Sequence, residues 1–420
     1  MKFQSGASKL KLFKKISLYS GLITLVLYFG IFQGLSALIG SNSLNLLSPA
    51  KAQAEASPYV TANDTNLYLK GEKYQFTGIN AYELGTYWGG DGSCGAMLSN
   101  AQLTSFFSSL KPYSMVRMWA FQGSMGVDIT THKIDWTYLD RVVNIATQYK
   151  IKLTLTLSDQ AGTCDDQHWH DIAWYNGGYK TDYPNSQGTT PLSYWNYIKQ
   201  IVPHYADNPT VAIWELVNEP EASGCANPVN GASCEGTQTC VSEPQAEASL
   251  LSFFNTVGSE VKKLDKGHQL VGSGLIGSGQ CGSSGSDYQT INASSGIDIA
   301  SYHDYGSDSV AIPGDQWNGL QVRINQMAAI NKPLMVGETG ILASSDGTTG
   351  CDTLTQRASQ FQTKLSAMFS AGIVGFMPWD FTPGSTSGCS YDVNPSDPLI
   401  SMLNQNGFNY VTPSKTAKVK

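Results

Sequence analysis

Two segments far apart in the chain end an apolar, strand-like run in a glutamate: Trp214-Glu215-Leu216-Val217-Asn218-Glu219-Pro220 and Met335-Val336-Gly337-Glu338-Thr339-Gly340. Carboxyl groups delivered from two separate strand ends are what the splitting of a glycosidic bond requires, one on each side of the anomeric carbon. Glu215 competes with Glu219, because strand alternation puts Glu215, Val217 and Glu219 on one face. Lying two steps deeper, it reads as a buried structural partner, with Arg117 the natural counter-charge.

Such residues need a scaffold that brings strand ends together. Apolar strand-like runs recur at Tyr74 to Asn80, Met115 to Trp119, Lys152 to Leu157, Val211 to Leu216, Gln269 to Gly272, Ile297 to Tyr302, Pro333 to Val336 and Gly375 to Pro378. Between them lie segments of helical period. In Trp136 to Tyr149 the residues Leu139, Val142, Val143 and Ala146 fall at i, i+3, i+4 and i+7 behind Asp135 as N-cap. Ser193 to Tyr205, Pro244 to Leu264, Trp317 to Ile330 and Leu354 to Ala371 have the same character. Short buried strands alternating with helices predict an α/β fold of the (β/α)8 TIM barrel kind, as a single catalytic domain. Gly272-Ser273-Gly274 with Gly277 and Gly279 lacks the spacing of a dinucleotide loop, which argues against an open doubly wound sheet. In a barrel the site is built at the C-terminal strand ends. The polar residues there are Asn80, Arg117 with Trp119, Ser158 with Asp159, Asn218 with Glu219, His303 with Tyr305, Glu338, and Trp379 with Asp380.

On these motifs the chain resembles glycoside hydrolase family 5, in the clan of retaining (β/α)8 glycosidases, over about Leu67 to Asn404. The resemblance implies Glu219 of Asn218-Glu219-Pro220 as general acid/base, Glu338 as nucleophile and Asn218 as donor to the sugar 2-hydroxyl. It implies that Arg117, His303, Tyr305 and Trp379 complete the site. One departure stands out: many members carry a histidine at the exit of the third strand, where this chain has Ser158-Asp159, with His168 and His170 in the loop beyond. The roles are physically coherent. An acid must keep its proton, so Glu219 calls for burial or a nearby carboxylate. A nucleophile must be ionised, so Glu338 calls for donors, and Arg117 and Tyr305 fit. A retaining mechanism predicts carboxyl groups about 5 to 5.5 Å apart.

Tyr82, Trp119 and Trp379 are expected to bind substrate, since sugars stack their C–H faces on rings; Trp88, Trp169 and Trp174 divide evenly between packing and substrate contact. The patterns Gly78-Ile79-Asn80-Ala81-Tyr82, Val116-Arg117-Met118-Trp119-Ala120-Phe121 and Trp214-Glu215-Leu216 look closest to the β-1,4-mannanase branch. The resemblance thus implies a polysaccharide substrate, mannan or glucomannan first and cellulose or another β-glucan second. A noncatalytic carbohydrate-binding surface protein is the alternative of a different class, and a lipase is excluded by the lack of a Gly-x-Ser-x-Gly elbow. No cofactor and no metal are expected: no CxxC pair occurs among the cysteines.

With 420 residues, 14% of them charged and a formal net charge of −7, the chain has neither the composition of a disordered protein nor the basic excess of a nucleic-acid binder. A monomer is expected. Lys9, Lys11, Lys14 and Lys15, an apolar run from Ile16 to about Gly40, and Ala52-Gln53-Ala54 give residues 1–54 the layout of an export signal, cleaved after Ala54 or retained as a membrane anchor. Residues 55–66 read as linker, 67–410 as the catalytic barrel and 411–420 as a basic tail. The eight cysteines all follow the leader, an even number that in a secreted, periplasmic or surface-held chain predicts disulfides of undetermined pairing.

Overall fold

The eight apolar runs become eight parallel strands: β1 (Phe76–Asn80), β2 (Met115–Trp119), β3 (Lys152–Thr156), β4 (Val211–Glu215), β5 (Leu270–Gly272), β6 (Ala300–Asp304), β7 (Leu334–Thr339) and β8 (Gly375–Pro378). The computed structural model describes residues 57–84, 88–89, 93–94, 98–125, 131, 133–163, 165–182, 192–306, 308–384 and 388–409. Hydrogen bonding runs in the order β5-β4-β3-β2-β1-β8-β7-β6. A bridge between Gly272 and Ile299, with the Ser273 amide donating to the Ile299 carbonyl (3.2 Å) and the Asp298 amide to the Val271 carbonyl (2.8 Å), joins β5 to β6 and closes the (β/α)8 barrel. Every residue of the eight strands is buried, the expected state of parallel strands covered on both faces.

The surrounding helices follow the apolar periods. Thr137–Gln148 buries Leu139, Val142, Val143 and Ala146 against the barrel. Its cap differs from expectation: Trp136 takes the N-cap position without a side-chain bond, and Asp135, one residue earlier, accepts from the Thr137 amide (2.9 Å). A carboxylate two residues back still satisfies one of the free N–H groups of the first turn. The period over Pro244 to Leu264 resolves into Glu243–Phe253, a π-helical turn Phe254–Gly258 and Ser259–Leu264.

Part of the stretch read as linker is structured. Val60–Asn63 pairs antiparallel with Asn66–Leu69, which pairs with Glu72–Lys73. Val60, Leu67 and Leu69 pack with Phe76, Met115, Ile213, Leu270 and Met335, so this small sheet covers the N-terminal mouth of the barrel. The mouth must be shut by apolar side chains, and a hairpin with a buried Val at its start supplies them. Lys152 ties it down by donating to the Pro58 carbonyl (3.0 Å).

Cys225–Cys234, Cys240–Cys281 and Cys351–Cys389 are disulfide bonded. The proposed leader or anchor, 1–54, and the basic tail lie outside the described residues. Among the described residues no helix is long and apolar enough to cross a membrane.

Candidate active site

Arg117, inside β2, organises the C-terminal end of the barrel. Its side chain is fully buried and reaches four partners: Asn80 Oδ1 (2.9 Å) from β1, Glu215 Oε1 (2.6 Å) from β4, Asn218 Oδ1 (2.7 Å) beyond β4 and Glu338 Oε1 (2.6 Å) on β7. Asn80 laces the strands from the other side, donating through Nδ2 to the Gly337 carbonyl (2.9 Å) and the Met377 carbonyl (3.1 Å). Glu215 is wholly buried and takes a further bond from Thr156 Oγ1 (3.0 Å). It is thus the structural counter-charge of Arg117, enclosed below the cleft.

Glu338 is 4% exposed and accepts from Arg117 on one oxygen and from Tyr305 Oη (2.6 Å) on the other. Burial pushes its carboxyl up, but the charges of His303 and Arg117 and the Tyr305 and Arg117 hydrogen bonds together outweigh that and hold it below the ordinary value of 4.5. Glu219 stands just past β4 with φ +53°, its amide donating to the carbonyl of Gly274 (3.0 Å). That contact needs Gly274 as well: with φ +68°, a Cβ there would lie 1.9 Å from the Val217 carbonyl oxygen. His303 on β6 joins the two carboxylates, with Nδ1 2.6 Å from Glu219 Oε1 and 3.7 Å from Glu338 Oε1. Burial lowers the proton affinity of this imidazole, while Glu338 and Glu219 raise it further, so the net shift is upward.

One ligand-type atom from each of Glu219, His303 and Glu338 lies within 4.8 Å of the other two. A small cation could be spanned by such a set, but Arg117 already donates into it at 2.6 Å and supplies positive charge there. The Cys240, Glu243 and Cys281 group offers no thiolate, since the two cysteines are bonded to each other.

Around these residues opens a cleft of about 820 Å³ lined by Asn218, Glu219, Glu338, Tyr305, Tyr82, Trp119 and Trp379 among others. Its lining is of two kinds. Tyr82 and Trp379 stack with ring centroids 5.1 Å apart and planes 2° from parallel, and Trp119 tilts against Tyr82 at 4.7 Å, forming an aromatic wall. The rest of the lining includes a polar set, Gln160, Glu221, Glu235, Gln238 and Gln280. The ten residues singled out in the sequence therefore gather at one barrel end: seven line the cleft, His303 bonds to Glu219, which does, and Asn80 and Arg117 brace the set from below.

Other aromatic and histidine candidates sort differently. Trp169 lines the cleft, whereas Trp174 is buried in the core with His170 stacked on it at 3.7 Å. His170 is wholly buried against Trp174, and neither it nor His168 is among the residues that line the cleft. Asp159 does line the cleft there, and accepts from Asn218 Nδ2 (3.2 Å). Sequence reasoning missed Tyr391, whose ring meets that of Tyr305 edge-on at 5.7 Å, and the polar group of Gln160, Gln238 and Gln280. Gln238 and Gln280 each sit within two residues of Cys240 or Cys281, so the cysteine spacing was the available signal.

A barrel with paired carboxylates at its C-terminal end defines the class of (β/α)8 glycosidases. Residues 68–385 match the family profile described as Cellulase (glycosyl hydrolase family 5), and the chain belongs to that family. It is 27% identical over 320 residues to the "Probable mannan endo-1,4-beta-mannosidase F" of Aspergillus flavus, covering 67% of this chain and 60% of that protein. It is 24% identical over 367 residues to "Mannan endo-1,4-beta-mannosidase A" of Emericella nidulans, covering 80% and 81%. The fold matches that of the endo-1,4-beta-mannanase from Rhizomucor miehei with a TM-score of 0.57 at 20% identity, over 82% of this chain and 97% of that one.

Proposed function

We propose that the chain is a retaining endo-β-1,4-mannanase that works outside the cytoplasm through a covalent glycosyl-enzyme intermediate. The observation that carries the mechanism is the spacing of Glu219 and Glu338, whose closest oxygens lie within 4.8 Å. That closeness, with both carboxylates approaching one imidazole nitrogen of His303, supports direct attack by a carboxylate over attack by an intervening water, which calls for a wider gap. The unequal surroundings assign the roles. Glu338, with donors on both oxygens, attacks the anomeric carbon. Glu219, which reaches from an exit loop and keeps 33% of its side chain exposed, gives its proton to the departing glycosidic oxygen. In the second half Glu219 takes a proton from water as that water attacks the anomeric carbon, and the bond to Glu338 breaks. Asn218 donates to the 2-hydroxyl, and Tyr82, Trp119 and Trp379 supply the stacking surface.

Mannan is favoured by the mannosidase relatives, and export by the layout of residues 1–54 together with the three disulfides among the described residues. A reducing-sugar assay of the purified chain on mannan, glucomannan, cellulose and mixed-linkage glucan tests the substrate. Release from mannan and glucomannan is expected; release from cellulose alone moves the reading to a glucanase, and no release from any points to a binder. Glu338→Ala is expected to abolish hydrolysis in a folded protein, with azide restoring turnover as the inverted glycosyl azide. Unchanged hydrolysis by that variant would sink the mechanism.

A further inference from the structure

We propose that Asp159 is a positioning residue that sets the discrimination at carbon 2 of the sugar by fixing the side-chain amide of Asn218, an inference that rests on the hydrolytic reading above. Both polar atoms of Asn218 are engaged: Oδ1 accepts from Arg117 Nη2 (2.7 Å) and Nδ2 donates to Asp159 Oδ1 (3.2 Å). Arg117 has no acceptor and a carboxylate has no donor, so the two contacts together allow one orientation of the amide only. One N–H of Nδ2 is consumed by Asp159. The other is left for the cleft that Asn218 lines.

The anchor is itself built to stay in place. Asp159 is 8% exposed, and its carboxylate is also bonded by the Thr163 side chain. The backbones of the two residues form a parallel bridge, with the Asn218 amide donating to the Ser158 carbonyl (2.8 Å) and the Gln160 amide to the Asn218 carbonyl (3.1 Å). Ser158 is held from behind by Asp165 Oδ2 (2.6 Å). The pairing of β3 and β4 thus continues past the strand ends, so the two side chains enter the cleft side by side. Mannose and glucose differ in the axial or equatorial placing of the 2-hydroxyl. A donor free to rotate could meet either, whereas a donor fixed by Asp159 meets one better than the other.

The test uses the full chain with aryl β-mannobiosides and aryl β-cellobiosides, whose second sugar fills the neighbouring position an endo-acting cleft requires, and with a 2-deoxy analogue of the mannobioside that lacks the hydroxyl at the reacting ring. In wild type the hydroxylated mannoside should be preferred over the 2-deoxy compound in kcat/KM. Asp159→Ala should shrink that preference by about tenfold, the worth of one oriented hydrogen bond, and shrink the mannoside-over-glucoside ratio with it. Asp159→Asn keeps an oxygen that accepts from Asn218 and should hold both ratios within about threefold of wild type. A merely structural role would lower kcat/KM on all substrates alike, leaving the ratios of Asp159→Ala unchanged, and that result overturns the inference. Loss of both ratios in Asp159→Asn overturns it too. Failure of wild type to cleave any of the glycosides would instead bring down the hydrolytic reading on which it stands, and the inference with it.

Discussion

Replacing Tyr305 by phenylalanine removes one contact, the 2.6 Å hydrogen bond from Oη to Glu338 Oε2, and leaves the ring in place against Tyr391. A hydrogen bond to a charged group is worth about 1.5 to 3 kcal/mol. The Tyr305 residue is 41% exposed, so water takes up part of the role once the hydroxyl is gone, and the lower end of about 1.5 kcal/mol applies. Two readouts follow from that figure. On the acid side of the profile, where the variant's Glu338 is less fully ionised and the nucleophile is lost, kcat/KM falls by up to about tenfold. Because the donor favours the ionised carboxylate, its removal raises the Glu338 carboxyl, and the acid limb of the pH profile moves upward. Stability responds with a definite sign. The depressed carboxyl contributes stability that is present above 4.5 and lost as pH falls through its folded value, so Tyr305→Phe loses part of this increment near neutral pH and shows a shallower decline in acid. The assay is a pH series of kcat/KM on a soluble mannan oligosaccharide beside urea unfolding at matched pH. An unmoved acid limb in Tyr305→Phe would refute the reasoning, whatever the loss in rate.

Glu215→Leu should destabilise the fold by about 3 to 5 kcal/mol in urea unfolding, because Arg117 keeps its charge in a buried site that has lost its deepest partner. Replacing Cys240 and Cys281 together by serine opens a bridge between residues 41 positions apart, worth about 4 kcal/mol of chain entropy, and should lower Tm. Because that bridge also holds the Gln238 and Gln280 side of the cleft, KM for long substrates should rise more than kcat falls.

Legibility in the sequence followed the range of the interactions. β2 and β8 were bounded to the residue, and the helix over Leu354–Ser370 to within one, because apolar period is a local property. Glu219, Glu338 and Arg117 were found because each lies in or just past an apolar run, where barrel geometry leaves few directions for a polar side chain. Tyr391 and Gln238 were not found, since they sit on loops whose return to the cleft depends on disulfides and long-range contacts. The hairpin over Val60–Asn63 is illegible in the sequence for a similar reason: its strand is four residues long and buries only one of them, too little for a pattern. Pairing with Asn66–Leu69 and the need to close the barrel mouth decide its structure.

The left-handed backbone of Glu219 has a consequence for how far this protein can be stabilised. A residue with a Cβ in that conformation costs about 1 to 2 kcal/mol relative to the right-handed one, a cost that glycine would not bear. Selection for heat resistance alone would therefore favour glycine at this position and discard the carboxyl. Any thermostabilisation campaign on this fold must screen turnover at every round, because one of its easiest gains lies on the proposed proton donor itself.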